Sequence, residues 1–191
     1  MARPQEFDEE KVINDAMNLF WKKGFYNTTL ADLEFATGLK RGSIYNSFGS
    51  IEKFYLKALK MYLASNADEA KLYINNGKSG LENLRTYIEN TIINLSTDKS
   101  CFAVKASFET DHNIPEKIGL LREGMAFRIK TIADLIRITQ KKGEIDEQKD
   151  PGKLAAIIAA TFPGFAQHYQ LHKDTLQIRK LINDLIETIG L

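Results

Sequence analysis

The side chains best suited to chemistry lie in twelve residues, TGLKRGSIYNSF, at positions 37 to 48. Only Leu39, Ile44 and Phe48 in this stretch are large and apolar, at spacings that let them anchor a short helix from one side. Lys40, Arg41, Ser43, Tyr45, Asn46 and Ser47 then face outward. These are groups that bind nucleic acid: arginine pairs bidentately with guanine, asparagine with adenine, and hydroxyl and ammonium groups with phosphate oxygens. Gly42 costs such a helix about 1 kcal/mol relative to alanine, and close approach of a duplex to the backbone would account for it. For the two cations alone, a solvated helix face is the plainer alternative.

Other constellations are weaker. Glu109 and His112 share the Glu-x-x-His spacing of a di-iron helix, but that chemistry needs a second such pair. Phe165 and Tyr169 stand where the acids before His168 and His172 would have to be. No metal and no cofactor are therefore expected. Cys101 is the single cysteine. It cannot form an internal disulfide, and a buried core thiol outweighs a nucleophile or redox sensor. No phosphate-binding glycine loop or catalytic triad motif is evident.

The elements that must position these residues are helical. Apolar residues recur at three- and four-residue spacing along the chain and no segment alternates like a strand, so the expected fold is all-α, with about nine helices. The first runs from about Asp8 to Lys23 and ends at Gly24. Thr29 with Asp32 forms a capping box for a second, to about Ala36. Gly38 stops it in the left-handed conformation. A third spans about Lys40 to Ser47, completing a helix-turn-helix pattern. A long fourth helix starts at Ser50 and reaches about Ile74, before a linker, NNGKSG, at 75 to 80. Further helices are expected at about 80–96, 101–111, 115–141, 151–170 and 174–189. Asn113 with Glu116, and Asp150 before Pro151, look like helix starts. The stretch 141 to 150 reads as a polar loop. Pro163 is expected to kink or break its helix near Phe162.

A chain of 191 residues, 43% hydrophobic and 27% charged, has the composition of a folded globular protein. It contains no transmembrane run and no signal-like start, so a cytoplasmic location without membrane association is expected. The net charge of +1 decides little, but its distribution is uneven. Residues 38 to 60 carry Lys40, Arg41, Lys53, Lys57 and Lys60 against Glu52 alone, whereas acids outnumber bases in residues 1 to 37. Positive charge is thus focused around the helix-turn-helix.

Over about residues 8 to 60 the sequence resembles the tetracycline-repressor (TetR) family of bacterial transcriptional regulators. The resemblance is carried by FWKKGFYNTTLADL and TGLKRGSIYNSFGSIEKFY. It implies a DNA-binding domain over residues 1–50, with the fourth helix leading into a ligand-binding and dimerisation domain over 51–191. It also implies a repressor that binds a palindromic operator as a homodimer and is released by a small, largely apolar effector. Arg41, Gly42, Ser43, Tyr45 and Asn46 match the family's DNA-contacting positions, and Thr29, Lys40 and Lys53 complete the expected set. Lys40 stands where the family usually has a serine or threonine cap, so the third helix is expected to order fully only on phosphate. Ile51 stands where the family usually has lysine, with Lys53 as the substitute one turn on.

The last helices carry apolar stripes: Leu154, Ile157, Ile158 and Thr161, then Ile178, Leu181, Ile182, Leu185 and Ile186. Packing within one chain and dimerisation explain such stripes equally well, and the resemblance favours dimerisation. Candidate effector-pocket residues are Cys101, Phe102, Phe108, Met125, Phe127, Phe162, Phe165 and His168, against a plain reading of each as ordinary core. The competing class is an α-bundle enzyme or carrier that does not bind DNA; a helix-turn-helix used only for protein contacts is a third reading.

Overall fold

The structure, a computed structural model, describes residues 7–74, 80–94, 101–109 and 114–190. Every regular element among the described residues is an α-helix: α1 (Glu9–Lys23), α2 (Leu30–Thr37), α3 (Arg41–Phe48), α4 (Ile51–Ile74), α5 (Gly80–Asn94), α6 (Phe102–Phe108), α7 (Pro115–Lys141), α8 (Pro151–His172) and α9 (Thr175–Thr188). The all-α expectation holds, and the expected bounds agree to within a few residues. The cap at Asn113 and most of the linker at 75 to 80 lie outside the described residues. None of these helices is long and apolar enough to cross a membrane.

The chain divides into two compact units: Met1–Ser65 with Phe102–Leu121, and Asn66–Cys101 with Arg122–Leu191. The first part of α4, all of α6 and the start of α7 group with the N-terminal helices.

In the first unit an aromatic core forms where the apolar faces of α1, α3 and α4 meet. Phe20, Phe54 and Tyr55 are fully buried, with Phe20 edge-on to Tyr55 at 5.1 Å between ring centroids. Phe48 stacks on Phe54 at 3.9 Å. α6 adds Phe102, whose ring stacks on Trp21 at 6.1 Å and meets Tyr55 edge-on.

The second unit has an aliphatic core drawn from α4, α5, α7, α8 and α9, including Ile88, Ile132, Ile136, Ile158, Phe162, Ile178, Ile182 and Ile186. Glu144 caps α5, accepting from the Leu81 amide at 2.9 Å. Gly80 is required there, since an added Cβ would lie 2.6 Å from the Thr139 Cα. Asp150 caps α8, accepting from the Gly152 amide at 2.8 Å, with Pro151 at the first helical position as expected. The loop before it is less polar in effect than its composition suggests, because Ile145 is buried in the core.

α8 does not break at Pro163. It continues to His172, with Ala159, Phe162 and Ala166 buried on both sides of the proline. Packing of one continuous apolar face supports the helix on both sides of the proline against the lost hydrogen bond, which costs about 3 kcal/mol in an unsupported helix.

Candidate nucleic-acid interface

The helix-turn-helix is fixed by local hydrogen bonds that the sequence specifies. The Thr29 hydroxyl accepts from the Asp32 amide at 3.2 Å, and the Asp32 carboxylate accepts from the Thr29 amide at 2.9 Å. Lys23 reinforces the box by pairing with Asp32 at 2.7 Å. These bonds, the Lys23 contact foremost, lower the Asp32 pKa to about 2. Gly38 ends α2 at φ 71°, in the left-handed region, and its amide donates to the Glu34 carbonyl at 3.0 Å. The Thr37 hydroxyl bonds the Leu33 carbonyl at 2.6 Å and accepts from the Leu39 amide at 3.3 Å, which shapes the turn.

α3 then starts without help from Lys40, whose side chain makes no capping bond. The cap comes from the preceding helix instead: the Glu34 carboxylate accepts from the Arg41 amide at 2.7 Å. The start of α3 thus has a cap that the expectation drawn from Lys40 did not include. Sequence reasoning missed this role of Glu34 because the two residues are seven positions apart across a turn.

Ile44 and Phe48 are buried. Lys40, Arg41, Gly42, Ser43, Tyr45 and Asn46 are exposed, while Leu39 and Ser47 are half-buried. The Arg41 guanidinium lies 5.7 Å from the centre of the Tyr45 ring, a cation–π contact that steadies both on the outer face. Nothing lies within 4 Å of a Cβ added at Gly42, so no intramolecular contact demands glycine there. Thr29 and Lys53 are also exposed. Ser50 caps α4 by accepting from the Lys53 amide at 3.1 Å, which places Lys53 in the first turn after α3.

Some cations of this unit are paired and others, on this face, are not. Lys23 is bound to Asp32, and Lys57 to Glu9 at 2.6 Å. Among the described residues, the side chains of Lys40, Arg41 and Lys53 have no carboxylate partner. A row of unpaired cations, hydroxyls and an amide on a short rigid helix is a surface that can bind phosphate and read bases.

The other expected site residues are dispersed. Phe102 belongs to the aromatic core of the first unit, and Phe108 is 75% exposed. Met125 and Phe127 lie at the surface. Cys101 and Phe162 are buried, and Phe165 packs on the core of the second unit. His168 is half-buried; its Nδ1 is buried without a hydrogen-bond partner, and its ring centroid lies 4.4 Å from that of His172. His112 falls outside the described residues, and Glu109 is engaged by the Phe25 amide and the Tyr55 hydroxyl. Among the described residues no three His, Cys, Asp or Glu side chains gather as a metal site.

Of the expected dimer residues, Leu154, Ile158, Ile178, Ile182 and Ile186 belong to the core of the single chain. Leu181 and Leu185 pack against that core, Thr161 is half-buried and Ile157 is 48% exposed. On α9, Ile178, Ile182 and Ile186 thus pack within the chain, while Leu181 and Leu185 stay partly exposed.

An all-helical chain whose N-terminal unit presents a capped, outward-facing reading helix defines a helix-turn-helix DNA-binding protein. Residues 12–58 match the family described as bacterial regulatory proteins, tetR family, and residues 80–185 match the tetracyclin repressor-like C-terminal domain. The chain belongs to the TetR family and is a DNA-binding transcriptional regulator. It is 27% identical over 169 residues to the HTH-type transcriptional repressor ComR of Escherichia coli K12, covering 86% of this chain and 80% of that one. Among solved structures it is similar to a cysteine mutant of the TetR family regulator CifR complexed with 26 bp operator DNA. The TM-score is 0.84 at 21% identity, over 97% of this chain and 98% of that one. FadR of Bacillus subtilis in complex with stearoyl-CoA gives a TM-score of 0.74 at 16% identity, over 94% of this chain and 96% of that one.

Proposed function

We propose that the chain is a cytoplasmic repressor that reads a palindromic operator as a homodimer and releases it when a small, largely apolar effector binds the second unit. The observation that carries the reading is α3: Arg41, Ser43, Tyr45 and Asn46 are exposed above buried Ile44 and Phe48, with open space over Gly42. Arg41 and Asn46 are assigned to base edges. Thr29, Lys40, Ser43, Tyr45 and Lys53 are assigned to the sugar-phosphate backbone, and Gly42 to its close approach. The solved relative complexed with operator DNA supports a DNA-binding role, and the one complexed with stearoyl-CoA supports an effector.

One reading helix binds weakly, and two must be held at a fixed spacing to match half-sites about 34–36 Å apart or a multiple of that. The outer face of α8 is the surface proposed to hold them. Ala156, Ile157, Ala160 and Gly164 are exposed there at helical spacing, small enough for a second helix to approach closely. Within the second unit, Phe162, Phe165 and His168 are retained as effector-pocket residues.

Selection of bound duplex from a random pool tests the reading. A two-fold-symmetric consensus is expected, with affinity falling steeply as salt rises because bound phosphates release counterions. Arg41→Ala is expected to cost about 1–3 kcal/mol and to relax preference at one base position. A pool with no enriched sequence defeats the reading in favour of a helical enzyme or carrier, and an Arg41→Ala protein with undiminished affinity removes Arg41 from the interface.

A further inference from the structure

We propose that the effector of the second unit is a small amphipathic oxyanion, an apolar body bearing a carboxylate or phosphate, and that Arg128 of α7 is its anchor. The inference rests on the effector-responsive reading above and adds the chemical class of the ligand.

Arg128 occupies a position where the pattern of α7 calls for an apolar residue. Thr131, Ile132, Leu135, Ile136 and Thr139 are buried along the inward stripe of this helix, and Arg128 stands one turn before Ile132 on the same stripe. Gly124, a turn earlier again, has no side chain to cover it. Arg128 is half-buried, and its guanidinium lies 5.4 Å from the centre of the Phe162 ring, which is itself fully buried. Its charge also reaches buried Tyr87 of α5, where it works against the upward push that burial gives the phenol, while the Glu69 carboxylate works with that push.

Among the described residues no carboxylate pairs with Arg128. Partial withdrawal of the guanidinium from water favours a compensating charge, and arginine cannot escape by losing its proton. The Phe162 ring supplies only part of the compensation. The planar fork of donors fits an oxyanion bidentately, and the ring behind it suits an apolar body. A bound molecule can supply the anion that the described residues do not.

The test uses matched acids and amides, octanoate with octanamide and benzoate with benzamide, plus inorganic phosphate alone, titrated into the protein bound to its selected operator. Release by at least one acid, with its amide at least about tenfold weaker, is expected. Arg128→Met is expected to hold the operator as wild type does and to need about tenfold more acid for half-release. Arg128→Lys, which keeps the charge but not the fork, should fall between them and serves if the methionine variant fails to fold. Release by amides as readily as by acids, no release by any acid, or an unchanged response in both variants overturns the proposal. Release by phosphate alone at the same concentrations overturns the need for an apolar body. A wild-type protein that binds no operator defeats the regulator reading itself, an outcome distinct from all of these.

Discussion

The carboxylate of Glu109 accepts a hydrogen bond from the backbone amide of Phe25 at 3.0 Å, across 84 residues of sequence. Its second oxygen accepts from the Tyr55 hydroxyl at 3.3 Å, and its own carbonyl accepts from buried Lys117 at 2.6 Å. Lys105, one turn earlier, donates to the carbonyls of Trp21 and Lys22 at 3.0 and 2.9 Å, satisfying the open end of α1. The segment around α6 is thereby bonded to the corner between α1 and α2. Glu109→Ala leaves a part-buried amide and a buried hydroxyl without partners, and each such loss costs about 1–3 kcal/mol. A lowered urea midpoint is expected, with a smaller drop for Glu109→Gln, whose amide oxygen can still accept. Equal midpoints for wild type and Glu109→Ala would show that these bonds contribute nothing net.

The same carboxylate sets an alkaline limit. Burial first, and then the Glu109 charge, push the Tyr55 phenol well above its ordinary value of 10.0. The folded state therefore holds the Tyr55 proton to higher pH than the unfolded state does. Stability is full below pH about 10 and falls as pH rises above it, where the unfolded phenol ionises first. Tyr55→Phe should flatten this part of the stability profile between pH 9 and about 11, while lowering stability at neutral pH through the lost bond to Glu109. Denaturation followed at several pH values checks the slope.

Gly42→Ala separates folding from recognition. Alanine is better than glycine in a helix by about 1 kcal/mol, and its methyl would meet nothing within the protein. The free protein should melt higher. If the duplex backbone approaches α3 at this point, operator affinity should fall by about tenfold or more, since 1.4 kcal/mol of clash suffices. Unchanged affinity would remove Gly42 from the interface.

Charge substitutions on α8 and α9 distinguish surface from core. Ile157→Asp should leave the fold intact, convert the dimer to monomer by analytical ultracentrifugation, and weaken operator binding through loss of the second half-site. Ile182→Asp buries an unpaired charge in the aliphatic core and should prevent folding. A dimer that survives Ile157→Asp would place the interface elsewhere.

Much of this was legible in the sequence because it is local. Capping at Thr29 and Asp150, the left-handed stop at Gly38 and the burial of Ile44 and Phe48 depend on residues within one or two turns of each other, where spacing and side-chain type suffice. Partners distant in sequence were not legible. The spacing of Glu109 to His112 gave no sign of its partners, and its carboxylate serves Phe25 and Tyr55. Lys40 read as a missing cap, yet Glu34 provides one from the other side of the turn.

By itself, the sequence determined the helices, their ends and the row of polar side chains on α3, since hydrogen bonding along the backbone and apolar periodicity are short-range. Only the tertiary structure decided what covers each apolar face. A stripe on α9 has the same period whether it meets its own chain or another, and packing assigned Ile178, Ile182 and Ile186 to the monomer core. It also carried α8 past Pro163 as a helix and set Arg128 against Phe162, because these outcomes depend on which surfaces meet in space.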